Sequence, residues 1–530
     1  MFSRRSVLVS AAIVGLFAVA DLPGEAAAQG QGATLVVAAQ RTPEGFDGDA
    51  LRPGTQEVVV QTYEGLVRYA RRKAADGTEE LESTKYEGHY AESWTVSADG
   101  RVVRFKLRNG IRSPFGNELT AEDVVWGYKK SVAQKRTGGF LMEVAKVTDV
   151  VAVGRYDVEY RLSAPSAFLF PILTLYAPGI YDSTEMKKHA TAEDPWALRY
   201  LETRTAGFGA YHVESVTGGE QAVFVANPNY FLGPPHFRRV VYRAVPSAAN
   251  RALLMRSGQV QWTENLSPQA VEEMARDPRF RVAAKPHRGA AALALNPAFP
   301  PFDNPKVRQA VGWAIDREVI NRAVFGGRGV IANTIVPPYI EGAAQDMHPF
   351  PRRDVGRARQ LLAEAGFPNG VDVELIHAEL VGWEEPFAIQ AKAMLDEVGI
   401  RTTLRKISPT ELRTRNAIGR RDMPFHTAED GPIVLDAAYT TFIVARTGGT
   451  SNRSAYSDPE LDKRIDLVGE TLDDTARLAM GRDIQRDWLN AATYILTAFR
   501  PLHEVMPRNI VGFVWYPYEH ERWVDLRVAN

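Results

Sequence analysis

The clearest alternation of apolar and polar positions lies between residues 90 and 130. In Val102–Leu107 the apolar side chains fall on one face and the basic ones on the other, which predicts a half-buried strand. Asp99-Gly100, just before it, predicts the tight turn of a hairpin, because such turns need the positive φ that glycine tolerates. Thr120 and Asp123 stand three residues apart ahead of an apolar face, so a capped helix is predicted to begin there.

The rest of the chain alternates between helical and strand patterns. Residues 33–39 predict a buried strand and 147–162 predict a second hairpin, whereas the polar segment 71–86 predicts an exposed loop. Asn304-Pro305 predicts the start of one helix that ends at Gly326-Gly327. The following predicted elements are a helix at 355–365, a strand at 371–377, a helix at 386–398 and a strand at 401–407. This order indicates an α/β fold.

The first 28 residues have the pattern of an export signal. Arg4-Arg5 precede an apolar run from Val7 to Ala20, and Ala26-Ala27-Ala28 offers a cleavage site. The arginine pair followed by Ser-Val-Leu favours a twin-arginine signal, and an ordinary secretory signal is the alternative. The run is shorter than the ~20 residues that span a bilayer. We therefore expect residues 1–28 to be removed on export.

Composition limits the function classes. About 500 mature residues favour two or three domains. The formal net charge of −1 gives no basic bias for nucleic acid. The absence of cysteine excludes disulfides, cysteine metal ligands, a cysteine nucleophile and the N-terminal cysteine of a lipoprotein. We expect a soluble, exported protein without a lipid anchor, retained in the periplasm.

Catalytic motifs are weak throughout the sequence. There is no G-x-S-x-G motif, His503-Glu504 lacks the second histidine of H-E-x-x-H, and the ten histidines are dispersed. An enzyme is therefore the weaker hypothesis. An exported α/β hydrolase and a chaperone-like binder of unfolded peptide remain the alternatives from other classes.

Several dispersed motifs share their order with one protein family. They are ESW-x-x-SADG with LTAEDVVW inside residues 92–126, YEGL at 63–66, NP-K-V-R-Q-A-V-x-x-A-I-D-R at 304–317 and DPELD at 458–462. Together they resemble the bacterial extracellular solute-binding proteins of the peptide/nickel-type ABC importers. The resemblance extends from about residue 33 to 515.

The resemblance implies an α/β, two-lobed periplasmic binding-protein fold of type II, in the large three-domain peptide-binding class, with a hinge and an interlobe cleft. It implies a first lobe of residues 33–65, 205–283 and 498–530, an extra domain of 66–204 and a second lobe of 284–497. It also implies a monomer that needs no cofactor, binds a small peptide or amine-containing solute and delivers it to a membrane permease.

The candidate ligand site centres on Met423–Tyr439. The resemblance places a ligand-contacting loop here, in which an aspartate of the peptide binders holds the ligand's α-ammonium; Asp430 or Asp436 would fill that role. His426, Glu429 and Tyr439 belong to the same stretch. The alternative is a solvated turn in which Asp436 caps a helix beginning near Ala437.

Three further candidates lie outside this stretch. Trp383 follows a predicted strand, and the carboxyl ends of strands border clefts in α/β lobes. Glu44 and Phe46 follow the first strand, where the resemblance implies a loop that faces the cleft. The family also includes nickel and haem receptors, but a lone His426 is poor evidence for a metal, which needs several donors.

Overall fold

The computed structural model describes residues 33–50, 54–75, 77–380, 382–517 and 522–529. The predicted export segment, residues 1–28, lies outside these ranges. Within them, no helix combines the length and the apolar character needed to cross a membrane.

The strands alternate in the chain with groups of helices. In chain order the strands are β1 (Thr34–Ala39), β2 (Val67–Lys73), β3 (Glu79–Gly88), β4 (Ala91–Val96), β5 (Val102–Leu107), β6 (Val147–Ala152), β7 (Asp157–Leu162), β8 (Tyr211–Thr217), β9 (Gln221–Ala226), β10 (Arg239–Ala244), β11 (Trp262–Glu264), β12 (Phe280–Leu295), β13 (Val330–Ile331), β14 (Val371–Ala378), β15 (Ile400–Ile407), β16 (Phe425–Asp430), β17 (Tyr494–Pro507), β18 (Ile510–Val511), β19 (Val514–Trp515) and β20 (Arg527–Val528).

The α-helices are α1 (Gln56–Val59), α2 (Ala121–Ala133), α3 (Thr137–Val144), α4 (Leu169–Leu173), α5 (Ser183–His189), α6 (Ala248–Arg256), α7 (Pro268–Arg276), α8 (Pro305–Ala314), α9 (Arg317–Phe325), α10 (Val355–Glu364), α11 (Glu384–Val398), α12 (Pro409–Arg415), α13 (Ala437–Ala445), α14 (Pro459–Glu470) and α15 (Asp474–Asn490). Short 3₁₀ turns occur at Tyr200–Glu202 and Trp523–Asp525.

One large sheet joins strands from the start, the middle and the last part of the chain. Its strand order is β15-β14-β16-β12-β17-β11-β1-β10-β9-β8, and β13 also pairs with β17. The long antiparallel strands β12 and β17 pair from Phe280 opposite Pro507 to Ala294 opposite Tyr494. At one end β17 pairs with β11, and at the other β12 pairs with β16. These two strands therefore connect the part of the sheet that contains β14, β15 and β16 with the part that contains β1 and β8 to β11.

The pairing of β12 with β17 is irregular between residues 286 and 292 of β12. The register shifts between Pro286 and Ala290 and again between Ala291 and Ala292. Such bulges locally bend a strand and redirect its side chains. His287, Arg288 and Gly289 lie in the first of these irregularities and line a cavity between β12, β16, α3 and α13.

Smaller sheets flank the large one. The order β4-β5-β7-β6 forms a four-stranded sheet, β19-β3-β2 a three-stranded sheet and β18-β20 a pair. An apolar cluster continues from this flanking region to α13, where Phe168 packs edge-to-face on Tyr439 and Phe442, with ring centroids 5.7 and 5.6 Å away. The segment around Phe168 is therefore in direct apolar contact with α13.

Several local predictions are confirmed. Strand β5 has the predicted bounds Val102–Leu107, and α2 begins after Thr120, whose backbone N–H donates to the Asp123 carboxylate at 2.8 Å. The hairpin of β6 and β7 and the four predicted elements from α10 to β15 are also present, with bounds shifted by one or two residues.

Three local predictions are wrong. Residues 71–86 are largely strand, since β2 and β3 pair with each other and β3 pairs with β19 near the end of the chain. The single helix predicted from Asn304 to Gly326 is two helices, because Asp316 caps a new one by accepting the N–H of Val319 at 2.9 Å. The predicted ligand loop at 423–439 begins as strand β16, paired with β12.

Candidate functional site

A cavity of about 590 Å³ lies where the irregular part of β12, the end of β16, α13 and the start of α3 meet. Its volume is within the usual range for small-molecule sites. The lining residues on which the site description depends are Lys135, Arg136, His287, Arg288, Glu429, Asp430, Tyr439 and Arg453. Residues 135–141 come from α3 and the segment before it, and the others come from β12, β16, α13 and nearby segments, so two separate parts of the chain contribute to the cavity.

A second cavity of about 380 Å³ adjoins the first. Glu429, Asp430 and Arg453 line both, and Trp383 and Arg413 line only the second. The two cavities thus share their charged wall, which is formed by the end of β16 and the segment that contains Arg453.

Glu429 is held by two groups from the connecting strands. Its Oε1 accepts from Arg500 Nε at 2.7 Å and lies 3.0 Å from His287 Nδ1. Burial alone would raise the pKa of Glu429, but the neighbouring Arg500 and His287 outweigh it and lower the pKa to about 2. Burial lowers the pKa of His287 to about 4, so this histidine is uncharged at neutral pH. Glu429 is therefore an ionised, already neutralised carboxylate.

Asp430 points to the other face of the strand. Its Oδ1 accepts from Arg453 Nε at 3.1 Å, and Tyr494 Oη lies 3.4 Å from Oδ2. Burial raises the pKa of Asp430, although Arg453 opposes that shift. Because Arg453 neutralises it, Asp430 is not an open anchor for an ammonium group.

Two glycines allow β12 and β16 to approach closely beside these carboxylates. A Cβ on Gly431 would lie 2.0 Å from the carbonyl oxygen of Arg288, and one on Gly289 would lie 2.7 Å from Glu429 Cγ. Side chains at these positions would force the strands apart. The absence of a Cβ at both therefore positions Glu429 against the bulge that carries His287 and Arg288.

His426 and Asp436 have internal roles. Both ring nitrogens of His426 are buried and have no hydrogen-bond partner within the described ranges. Burial, followed by Arg453 and Arg415, lowers the pKa of His426 to about 3. Asp436 caps α13 by accepting the N–H of Tyr439 at 2.7 Å and forms a buried ion pair with Arg477. Asp436 therefore caps the helix as the alternative states, but it is buried and does not lie in a solvated turn.

The remaining predicted residues are dispersed. Tyr439 is buried on α13 and lines the main cavity, and Trp383 is mostly buried against Phe325 and Phe387 at the edge of the second cavity. Phe46 is fully buried and packs on Phe224 in the apolar cluster around β1, β9 and β10, so it offers no surface to a ligand. Glu44 is exposed and lines neither cavity.

The structure brings together Glu429, Asp430 and Tyr439 but adds basic residues that sequence reasoning missed. His287 and Arg288 come from the bulge, Arg136 from the start of α3 and Arg453 from the segment after α13. No local motif marks them, because they converge only through strand pairing and packing between lobes. Within the described ranges, no three histidines, aspartates or glutamates are grouped so as to hold a metal ion.

Comparison with known proteins identifies the family. The sequence profile described as "Bacterial extracellular solute-binding proteins, family 5 Middle" matches residues 85–452. The chain belongs to this family. Family 5 consists of solute-binding proteins, and its match covers most of the segment that forms the cavity walls.

Two relatives of this family 5 chain each cover more than four fifths of it. "Probable di/tripeptide-binding protein 5" of Pseudomonas aeruginosa (strain UCBPP-PA14) is 30% identical over 469 residues, covering 82% of this chain and 84% of the relative. "Probable D,D-dipeptide-binding periplasmic protein DdpA" of Escherichia coli (strain K12) is 25% identical and covers 87% of each chain.

The fold matches solved structures of the same class. The periplasmic binding protein DppA of Helicobacter pylori, solved in complex with the peptide STSA, superposes with a TM-score of 0.81 at 19% identity, covering 94% of this chain and 99% of that one. The expected two-lobed α/β binding-protein fold is therefore confirmed.

Proposed function

We propose that this family 5 protein is the periplasmic receptor of an ABC importer. It captures a small peptide or another amine-containing solute of similar size between its lobes and delivers that solute, chemically unchanged, to a membrane permease. The observation that carries the proposal is the cavity of about 590 Å³, whose walls come from both sides of two long connecting strands. Closure around a solute would bury it almost completely.

Further observations support this function. Both relatives are named as binders of peptides of two or three residues, and one is named as periplasmic. In this proposal residues 33–65, 205–283 and 498–530 form the first lobe, 284–497 the second lobe and 66–204 the additional domain. Residues 1–28 direct export, and the mature protein acts as a monomer without a lipid anchor or a cofactor.

Native mass spectrometry tests the proposal. Protein purified gently from its expression host is expected to carry one small molecule per chain, which is released on unfolding and rebinds after refolding. The recovered molecule must have the same mass before and after incubation with the protein. Conversion of the molecule to a product would contradict the receptor function, as would an empty protein that also binds no peptide of two to five residues.

A further inference from the structure

A third cavity, of about 240 Å³, lies between the flanking sheets and the start of α15. We call it the side cavity. It shares no lining residue with either of the two cavities described above. Its larger apolar lining residues are Val96, Val103, Leu162, Leu169, Phe170 and Leu472.

Two parts of the chain that are distant in sequence meet at the side cavity. The hairpin turn between β4 and β5 touches the loop between α14 and α15, since a Cβ on Gly100 would lie 3.1 Å from Leu472 Cδ1. Val96 and Leu472 line the cavity and remain 46% and 51% exposed. A small molecule can therefore reach the cavity from solvent on this side.

Aromatic rings form one part of the wall. Tyr86 and Phe170 both line the side cavity, with ring centroids 5.6 Å apart and ring planes inclined by 38°. Rings attract a further ring in offset or edge-on contact at centroid distances of about 4.5–7 Å. An apolar cavity of about 150 Å³ is enough to hold benzene. The volume and the lining therefore favour a guest with one aromatic ring and a small substituent.

Arg477 is the cation that lines the side cavity. It is only 7% exposed, and it forms ion pairs with Asp436 through Nη1 and with Asp474 through Nη2, the latter at 2.7 Å. Its Nε is buried and has no hydrogen-bond partner among the described residues. A buried donor without an acceptor costs free energy, which an acceptor on a ligand would recover.

The surroundings of Arg477 favour an uncharged acceptor. Two carboxylates, those of Asp436 and Asp474, already face the one guanidinium. A ligand carboxylate would lie near both of them and compete with them for the same cation. A carbonyl oxygen can accept from Nε without adding a negative charge.

We propose that the side cavity binds a small, uncharged aromatic molecule, whose carbonyl oxygen accepts a hydrogen bond from Arg477 Nε. The ring of this molecule lies against Tyr86 and Phe170. The site goes beyond the proposed receptor function and does not depend on it. It lies close to the main cavity, because Asp436, the partner of Arg477, caps α13, on which Tyr439 lines that cavity.

Three probes of nearly equal size test the proposal by NMR titration of solute-free protein with labelled leucine and valine methyl groups. They are acetophenone, α-methylstyrene, in which a CH₂ group replaces the carbonyl oxygen, and benzoate, which carries a carboxylate. Acetophenone should bind about tenfold more tightly than α-methylstyrene, as expected for a hydrogen bond from a charged donor. Benzoate should bind about tenfold more weakly than acetophenone, because Asp436 and Asp474 repel it.

Two variants locate the bound probe. Ala167→Phe places a ring in the side cavity without removing a side-chain hydrogen bond, so it should abolish acetophenone binding. Ala363→Phe, at an exposed position of α10 outside all three cavities, should bind acetophenone as wild type does. Thermal melting monitors folding. If Ala167→Phe does not fold, the methyl signals of Leu472 in wild type decide, since acetophenone should shift them; Leu472→Ile assigns these signals.

The outcomes separate this proposal from the receptor function. Absence of acetophenone binding by wild type overturns the proposal, as does equal affinity for α-methylstyrene or tighter binding of benzoate. Acetophenone binding that persists unchanged in Ala167→Phe, or that leaves the Leu472 methyl signals in place, also overturns it. None of these results concerns solute capture in the main cavity, and failure of the receptor function would leave the proposal intact.

Discussion

Lys130 is a fully buried charge that connects two distant parts of the chain. Its Nζ lies 2.7 Å from Asp47 Oδ1 and 3.8 Å from Asp49 Oδ2, and 4.8 Å from the centre of the Tyr181 ring. Burial would raise the pKa of Asp47, but Lys130 outweighs it and the pKa is lowered. Asp47, next to the predicted ligand residue Phe46, therefore joins the loop after β1 to α2.

Replacing this lysine should destabilise the protein strongly. Lys130→Met leaves two buried carboxylates without a counter-ion, which costs about 3–5 kcal/mol. Urea unfolding of the variant measures the loss. Lys129→Met is the matched control, since Lys129 is the neighbouring residue on α2 and is exposed. Equal urea midpoints for Lys130→Met and Lys129→Met would show that the buried ion pair of Lys130 with Asp47 contributes nothing to stability.

His426 should make the protein sensitive to mild acid. Its folded pKa is about 3 and its unfolded pKa is about 6.5, so between these values only the unfolded state binds the proton. Stability from this residue is therefore complete above pH 6.5 and falls as the pH drops. Between pH 7.5 and pH 5, the free energy of unfolding should fall by about 2 kcal/mol less in His426→Leu than in wild type. Urea unfolding at the two pH values measures this. Equal losses of unfolding free energy in wild type and His426→Leu would contradict this assignment.

At the scale of elements, the site depends on the contact of the β12 bulge with the end of β16. Strand pairing places Ala290 opposite Asp430, and the backbone at Gly431 comes so close to Arg288 that no side chain fits. The charged wall of the cavity is thus positioned by backbone approach as well as by ion pairs.

Adding one methyl group at this contact should disturb the site. Gly431→Ala must displace the backbone of Arg288 and should cost about 1–3 kcal/mol of stability, with weaker solute binding. Gly481→Ala is the control, because a Cβ there meets nothing within 4 Å and the residue is inside α15. The control should be neutral or slightly stabilising. Thermal melting and solute titration of both variants provide the comparison, and a harmless Gly431→Ala would refute the close contact.

Elements with local signals were predictable from sequence, and those set by distant partners were not. The cap at Thr120 and the alternation of Val102–Leu107 each depend on residues that are only a few positions apart in the sequence, and both elements form as predicted. Segment 71–86 is polar and suggests a loop, but pairing with β19 from the far end of the chain makes most of it strand.

The same distinction applies to the site. Glu429, Asp430 and Tyr439 were predicted and line the cavity, whereas Phe46 packs in the core because its neighbours there come from later strands. Arg288 and Arg136 carry no motif. They line the same cavity because a bulge redirects β12 at Arg288 and because the segment that carries Arg136 packs beside it.

At the scale of the whole molecule, the proposed closure would depend on apolar contacts between the segment around Phe168 and α13. Phe168 packs on Tyr439 and Phe442 of the second lobe, and Gly469 leaves room for its ring. Tyr439 also lines the main cavity, whereas Phe168 does not, so a change at Phe168 leaves the lining residues themselves unchanged.

Removing this aromatic contact should weaken solute binding indirectly. Phe168→Ala destabilises the closed arrangement and should reduce affinity for the co-purified solute by about tenfold to a hundredfold. Phe115→Ala, an exposed phenylalanine of the same flanking segment, is the control and should bind as wild type does. Calorimetric titration measures both, and equal affinities would exclude a role for Phe168 in closure.

The most direct test of the account is the distance between the two sides of the cavity with and without solute. The chain has no cysteine, so Ala133→Cys on α2 and Thr414→Cys on α12, both exposed, can carry two spin labels at unique positions. Pulsed electron spin resonance should give one short, narrow distance distribution with solute and a longer, broader one after its removal, with the solute recovered unchanged. An identical distribution in both states, or a solute altered by the protein, would contradict a receptor that works by closing around its guest.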